Sequence, residues 1–309
     1  MDMNSEPSIC KEDIRKLCIE AGACAVGFAR VEPIPEGQAS LFNEWLADGR
    51  HAELSYMERY GDIRNNPALL LEGAKTIICC AFAYANATTQ RHHLFADYAL
   101  GRDYHEVLRQ RLSPVAKALT AAHKNSATRI CVDTAPLRER FWATRAGVGI
   151  IGRNNQLIVP GIGSRVFLAE ILWTEEIEPD KSLETETCSG CKACALSCPR
   201  HALDGEGRID CRRCLSYLTI EHRGELPSDL TLRGRIYGCD ICQDVCPHNR
   251  SGRNPEVIPE FEPTAALMSV SVDSIKEMNA DEFSRIFSHS AVKRTKLIGL
   301  QRNALKSKH

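Results

Sequence analysis

The feature that most constrains this chain is a run of closely spaced cysteines between residues 188 and 247. The first part of the run reads CSGCKAC over residues 188–194 and continues to Cys198 and Pro199. It matches the bacterial ferredoxin pattern C-x2-C-x2-C-x3-C-P at every position, which is typical of a domain that binds two [4Fe-4S] clusters. A second group, CDIC followed by Cys246 and Pro247, lies about forty residues further on.

The spacing also predicts how the cysteines divide between the two clusters. Two-residue gaps let successive thiolates ligate different irons of one cube, whereas the cysteine before proline ligates the other cube. The ligands expected for cluster one are Cys188, Cys191, Cys194 and Cys246. The ligands expected for cluster two are Cys198, Cys239, Cys242 and one further cysteine.

The fourth ligand of cluster two is left open by the spacing. Cys211 and Cys214 both lie nearby, at a C-x2-C spacing of their own. Structural zinc is the main alternative, because paired C-x2-C units also occur in zinc ribbons. Zinc needs neither a third cysteine at two-residue spacing nor the crossing Cys-Pro pair, so the pattern favours iron–sulfur clusters.

Composition excludes several broad classes. The net charge of -1 gives no global attraction to nucleic acid or membrane, so any nucleic-acid contact must be local. Of the 15 cysteines, nine fall between residues 188 and 246 at metal spacing, which argues against a disulfide framework. The first residues lack the pattern of a signal peptide, and no run approaches the roughly 20 apolar residues of a membrane span. We therefore expect a cytoplasmic protein without membrane association.

Hydrophobic periodicity predicts a mixed fold ahead of the cysteines. Helical and strand-like segments alternate up to residue 175, and the apolar run Thr76 to Ala85 is expected to be a central buried strand. Tyr104 to His123 is helical by period, with a kink or a fresh helix start at Pro114. We predict an α+β domain over 1–175, a ferredoxin-like domain over 176–252 after an acidic linker, and a helical segment over 253–309.

The C-terminal segment ends in a basic tail. Its cations could contact phosphate, or they could simply form a solvated helix face, which is at least as simple an interpretation. The tail residues are Lys293, Arg294, Lys296, Arg302, Lys306 and Lys308.

The best-marked candidate site before the cysteines runs from Asp133 to Ser164. Asp133 ends a predicted strand just before a proline turn, and a desolvated carboxyl there would have a raised pKa suited to proton donation. From the residues alone, a turn or N-cap aspartate is the simpler interpretation. The glycines at 147, 149 and 152 follow a helix, so they predict close backbone approach to a large ligand rather than a dinucleotide fold.

Five further segments carry a family resemblance. With the cysteine run they make the chain, from about residue 8 to 305, resemble the epoxyqueuosine reductases. The segments are 98–105 (YALGRDYH), 132–136 (VDTAP), 145–154 (RAGVGIIGRN), 213–221 (RCLSYLTIE) and 235–240 (RIYGCD).

The resemblance implies a cobalamin-binding N-terminal domain, of the fold seen in nitroreductases and reductive dehalogenases, joined to a ferredoxin-like domain with two [4Fe-4S] clusters. It implies reduction of the epoxide of epoxyqueuosine, at the wobble position of tRNA, to queuosine. Cys214 rather than Cys211 matches the family's cluster-two ligand, and Asp133 matches its general acid. The implied cobalamin contacts are Tyr104, Arg153, Asn154, Asn155, Ser164 and Ser216.

The resemblance also implies the partners. Electrons are expected to pass from a flavodoxin or ferredoxin-type donor through cluster one to cluster two and cobalt, in a monomeric enzyme. Contacts to the tRNA anticodon loop are expected from the basic tail and from Arg212, Arg213 and Arg223. The alternative is a reductive dehalogenase-like or corrinoid-activating protein that acts on a small molecule.

Overall fold

A four-stranded antiparallel sheet organises the first half of the chain. The computed structural model describes residues 9–183, 188, 190–250 and 254–307. The strand order is β1-β2-β6-β3, and β4 pairs with β5 in a separate two-stranded ribbon. The strands are β1 (Ala25–Arg30), β2 (Thr76–Ala83), β3 (Thr128–Cys131), β4 (Ile150–Ile151), β5 (Leu157–Ile158) and β6 (Val166–Trp173).

The predicted central strand is confirmed. Every residue of β2 is buried, because helices cover both faces of the sheet and β1 and β6 flank its edges. This burial explains why the run shows no alternation of polar and apolar residues. The neighbouring strand β6 carries one acid into this apolar layer: Glu170 is fully buried, in register with Cys79 of β2 and Cys131 of β3.

Helices account for most of the remaining secondary structure. They are α1 (Lys11–Glu20), α2 (Glu36–Ala47), α3 (Gly61–Asn65), α4 (Tyr104–Ala122), α5 (Glu139–Arg145), α6 (Ala193–Ser197), α7 (Leu215–Ile220), α8 (Ile241–Asp244), α9 (Ala265–Met268), α10 (Val272–Glu277), α11 (Ala280–Phe287) and α12 (Lys296–Lys306).

Helix α4 passes through Pro114 without a break, so the predicted fresh start there is wrong. One face of α4 is buried on both sides of the proline, including Leu112 and Val115. Tertiary packing of that face holds the helix together, although proline removes one backbone hydrogen bond. At the other end, Asp103 caps α4 by accepting from the N–H of His105.

The later segments pack tightly on the first domain. In the predicted linker, Asp180 accepts from the N–H of Phe28 and forms ion pairs with Lys11 and Arg15. The C-terminal helices share a buried apolar cluster with residues 94–100 and with Tyr237. The predicted domain boundaries stay predictions; residue 252, linker residues 184–186 and Lys308 lie outside the described residues.

The antiparallel sheet with its separate helical layers is an α+β architecture, as predicted. Asn279 and Glu282 form a capping box at the start of α11. Among the helices in the described part of the chain, none has the length and apolarity needed to span a bilayer.

Candidate active site

Four of the predicted cluster ligands surround one cavity. The cavity has a volume of about 250 Å³, and Arg153 and Asn154 also line it. The tight turn before α6 and the Cys-Pro turn after α8 bring the thiols together from two distant parts of the sequence. These thiols belong to Cys188, Cys191, Cys194 and Cys246, the set expected for cluster one.

The set expected for cluster two is also gathered in one place. Burial, and then the nearby thiols of Cys239 and Cys214, raise the pKa of Cys242. Burial and then Cys214 likewise raise the pKa of Cys239, to about 11. Cys198 in turn contributes to the raised pKa of Cys214. A buried group of thiols that disfavour each other's ionisation fits a site where ligated iron supplies the compensating positive charge.

The same interactions distinguish the two candidates for the fourth position. Cys214 interacts with three thiols of the second set, Cys198, Cys239 and Cys242. Burial and then Cys214 raise the pKa of Cys211 to about 12, and no other predicted cluster ligand contributes to that shift. The structure therefore brings Cys214, rather than Cys211, into the second group.

A [4Fe-4S] cluster and a structural zinc ion place different demands on the cysteines. In the described ranges, no three His, Cys, Asp or Glu side chains converge closely enough to hold one metal ion. A structural zinc requires four ligands within about 2.3 Å of one centre, whereas a cube takes one thiolate on each of four separated irons.

Asp133 lies in a sharp turn directly after β3. Its backbone is in the left-handed region, with φ of 52°. This conformation costs a non-glycine residue of order 1–3 kcal/mol. Its N–H donates to Oε1 of Glu139 over 2.5 Å, and Arg109 holds the next residue by donating to the hydroxyl of Thr134. The loop is thus fixed from both sides, and the Asp133 side chain, 56% exposed, faces open space.

The Asp133 carboxylate is bound by two donors from the start of α4. Its Oδ2 accepts from the Tyr104 hydroxyl over 3.1 Å and from Nε2 of His105 over 3.0 Å. Partial shielding from water would raise its pKa, but the bonds from His105 and Tyr104 outweigh this and hold the pKa below its usual value. The condition on which a raised pKa of Asp133 was expected, a desolvated carboxyl without donors, is therefore not met.

His105 supplies the positive charge that lowers the pKa of Asp133. Burial disfavours its imidazolium, but Asp103 and Asp133 accept from its two ring nitrogens and raise its pKa to about 9. Asp103 is 3% exposed and is held in place by Lys293, whose Nζ lies 2.8 Å from Oδ2. His105 is therefore protonated at neutral pH and sits between two carboxylates.

The predicted cobalamin contacts in the 153–155 turn lie beside the cluster-one cavity. Asn154 is 2% exposed, and its Nδ2 has no hydrogen-bond partner among the described residues. Asn155 has φ of 61°, and its carbonyl accepts from the Arg140 guanidinium. Arg153 reaches the cavity wall and lies 3.9 Å from Glu206. An orphaned buried amide at a cavity wall fits a site for a large polar ligand.

The other predicted contacts are in different surroundings. Ser164 is buried, where its hydroxyl donates to Gln243 and its N–H donates to Asn249, so its side chain is already in use. Ser216 lies on α7, two residues after Cys214, and is partly buried. Tyr104 stacks on Phe167 at 4.3 Å while it donates to Asp133.

Most of the predicted tRNA contacts are engaged within the protein. Arg294 forms paired bonds with Glu221, and Arg302 donates to three backbone carbonyls. Arg212 pairs with Asp210, and Arg223 donates to the carbonyls of residues 294 and 295. The tail therefore packs against α7, and these cations do not form the solvated helix face that was one of its two interpretations. Lys293 lies 2.8 Å from Asp103, which in turn binds His105, so the tail also reaches the site.

Three residues of the site were missed by the sequence analysis. His105 follows Tyr104 in the segment that carries the resemblance, so its signal was present but was not assigned a role. Glu139 and Glu170 gave no signal, because an acid at a helix start or inside a strand is ordinary until its partners are known. Burial and the charge on Asp133 raise the pKa of Glu139 to about 8.

Two family models match the segments that carry Asp133 and the cysteines. The family model described as epoxyqueuosine reductase QueG, DUF1730, matches residues 64–134, and the 4Fe-4S double cluster binding domain matches residues 187–249. The epoxyqueuosine reductase of Cyclobacterium marinum is 36% identical over 296 residues, which cover 94% of each chain.

Solved structures are similar over nearly the whole fold. An epoxyqueuosine reductase crystallised with an epoxyqueuosine-modified tRNA-Tyr stem loop has a TM-score of 0.88 at 30% identity, covering 96% of this chain and 80% of that one. The Bacillus subtilis enzyme, solved with its catalytic aspartate loop swung out of the active site, has a TM-score of 0.86 at 30% identity and the same coverage. By sequence and fold, this chain belongs to the epoxyqueuosine reductase family.

Proposed function

We propose that this protein reduces the epoxide of epoxyqueuosine, at the wobble position of tRNA, to the cyclopentene of queuosine. The observation that carries the proposal is the Asp133 carboxylate, which faces open space while His105 and Tyr104 hold it in a strained turn. A family member bound to an epoxyqueuosine-modified stem loop supports the substrate.

The overall reaction sets what the site must supply. Removal of the epoxide oxygen as water, leaving an alkene, consumes two electrons and two protons. The two cysteine sets are suited to bind two [4Fe-4S] clusters, which relay electrons singly. When bound, cobalamin would supply the strongly reducing chemistry at the epoxide carbon. Of its proposed contacts, Tyr104 lies beside Asp133, whereas Arg153 and Asn154 border the cluster-one cavity.

The proton pathway follows from the hydrogen bonds. Asp133 rests as a carboxylate, so it needs a proton before it can act as an acid. His105 holds that proton on Nε2, 3.0 Å from Oδ2 of Asp133. The proposed transfer therefore runs from the imidazolium to Asp133 and then to the departing oxygen, with Asp103 stabilising the imidazolium throughout.

The proposed partners are the tRNA substrate and a protein that donates electrons. The wobble nucleotide lies unpaired in the anticodon loop, so it can leave the stack at little cost. A flavodoxin or ferredoxin-type protein is the proposed electron donor, and the enzyme is proposed to act as a monomer.

The test is anaerobic reconstitution followed by nucleoside analysis of tRNA. The protein, loaded with iron, sulfide and cobalamin and supplied with a reduced donor, should convert epoxyqueuosine in tRNA to queuosine. A fully loaded protein that leaves the tRNA unchanged, or that reduces a small halogenated molecule instead, would contradict the proposal.

A matched pair of cysteine variants tests the ligand set. Cys214→Ser should lose about half of the bound iron and nearly all turnover, because one of two clusters loses a ligand. Cys211→Ser should keep the full iron content and activity. Equal iron loss in both variants would contradict the assignment of Cys214.

A further inference from the structure

A pair of carboxyl groups, one fully buried and one partly buried, lies behind the Asp133 loop. Glu170 projects from β6 into the apolar layer covered by α5 and is fully buried. Glu139, the first residue of α5, lies between Glu170 and the loop, where its Oε1 accepts from the Asp133 N–H. Neither residue has a role in the transfer of electrons or protons proposed above.

Glu170 lacks the partners that an ionised carboxylate needs. Neither of its oxygens has a hydrogen-bond partner among the residues that the structure describes. An isolated charge in an apolar layer is strongly disfavoured, so the group must take up a proton. A protonated carboxyl is a donor, and the Glu139 carboxyl, the neighbouring group that acts most strongly on Glu170, is the acceptor available to it.

The groups around the pair favour protonation. Two ionised carboxyls side by side would repel each other, and Asp133 adds a third negative charge. Arg140 and His105 oppose that repulsion at Glu139 only in part, so the pair holds at least one proton at neutral pH. The titratable and charged groups facing the pair are Cys79 from β2, Cys131 from β3, Tyr104 and His105 from α4, Arg140 from α5 and Asp133 from the loop.

We propose that Glu139 and Glu170 are positioning residues that hold at least one proton between them, and that this pair acts as a latch for the Asp133 loop. With one proton, an oxygen of Glu139 stays directed at the Asp133 N–H while Glu170 donates from behind. Without the proton, repulsion from Glu170 pushes Glu139 away, and the strained turn at Asp133 loses its main support. This role rests on the proposed function, because it concerns the orientation of the proposed proton donor.

Infrared spectroscopy of the reconstituted holoenzyme tests the shared proton without any turnover. The difference spectrum between the wild type and Glu170→Gln at pH 7 should show one protonated carboxyl that is present only in the wild type. Glu139→Gln should keep this carboxyl but shift its frequency, because the acceptor of its hydrogen bond changes, and the exposed control Glu277→Gln should leave it in place. A wild type with no such signal would overturn the proposal.

Kinetics and hydrogen exchange test the latch. Glu139→Ala removes the acceptor and should lower kcat about 100-fold with little change in KM, as expected when a catalytic group is displaced by about 1 Å. Glu139→Gln keeps an acceptor oxygen and should restore most of the activity. The amide of Asp133 should exchange faster in Glu139→Ala than in Glu139→Gln or Glu277→Ala.

The outcomes separate this inference from the proposed function. Active wild-type enzyme with an unchanged Glu139→Ala variant would overturn the latch alone. A wild type that leaves the tRNA unchanged would overturn the proposed function, and the infrared signal and the exchange rate of the Asp133 amide would still decide whether the latch exists.

Discussion

The front and the back of the Asp133 loop hold carboxyl groups in opposite states. In front, Asp133 is bound by His105 and Tyr104, and its pKa lies below the usual value. Behind, burial and then the neighbouring Glu139 carboxyl raise the pKa of Glu170 well above the usual range. The difference shows that the number of donors within reach, and not burial alone, decides which carboxyl in a site is charged.

The Asp133 loop can be both charged and rigid because its two sides use carboxyl groups differently. The front carboxylate can receive a proton from His105, whereas the back pair keeps its proton and uses it for a structural bond. Variants that remove the donors in front of the loop, or the protonated carboxyl behind it, should separate proton transfer from the structural role.

Asp133→Asn should have the largest effect. The amide cannot relay a proton to the departing oxygen, so turnover should fall by about 10²- to 10⁴-fold. Iron content and the cobalamin absorption spectrum should stay unchanged, because Asp133 belongs to neither cysteine set. Full activity in this variant would refute the role of Asp133 and remove the functional contrast between front and back.

His105→Gln should have the next largest effect, roughly 10- to 100-fold on kcat. The pKa of His105 is raised to about 9, so wild-type activity should decline only as pH rises through that value. The variant has no imidazolium, so the shielding of the Asp133 carboxyl from water dominates and the pKa of Asp133 should rise. Residual activity should therefore shift toward lower pH. An alkaline limb that stays near pH 9 in the variant would contradict the assignment.

Glu170→Gln should change stability in a pH-dependent way. The pKa of Glu170 is raised well above its unfolded value of 4.5, so the folded protein binds more protons than the unfolded chain above that pH and wild-type stability falls as pH rises. The variant has no carboxyl at position 170, so it should lose less stability than the wild type as pH rises. Its Tm should match that of the wild type near pH 4.5 and exceed it by about 2 °C or more at pH 8.

Thermal unfolding followed by circular dichroism at both pH values measures this difference. A variant that is less stable than the wild type at pH 8 would show that Glu170 is ionised and paired in the folded protein.

Lys293→Met should have the smallest effect. Lys293 is 42% exposed, so its ion pair with Asp103 should contribute less than about 1 kcal/mol. The Lys293 pair helps to keep the pKa of Asp103 low, so its contribution is present above pH 3.8 and is lost as pH falls below that value. The exposed Lys16→Met is the control, and equal Tm values for both variants at pH 7 would show that the tail does not stabilise Asp103.

Local sequence determined much of this protein. The spacing of the cysteines predicts how seven of them divide between two clusters. The apolar run of β2 predicts a strand that is buried on both faces. These features could be predicted because turns and periodic burial depend on residues a few positions apart. The family resemblance added Asp133 and Cys214, but it did not give the charge state of either site.

Only the tertiary structure decided how the Asp133 carboxyl is used. Asp133 and Glu170 are the same kind of group, yet they differ in protonation state because Asp133 has two donors from α4, whereas Glu170, in the buried middle of β6, has no donor among the described residues. The continuous course of α4 through Pro114 was likewise decided by packing across the core. Protonation and helix continuity both depend on neighbours that are distant in sequence, which no local pattern specifies.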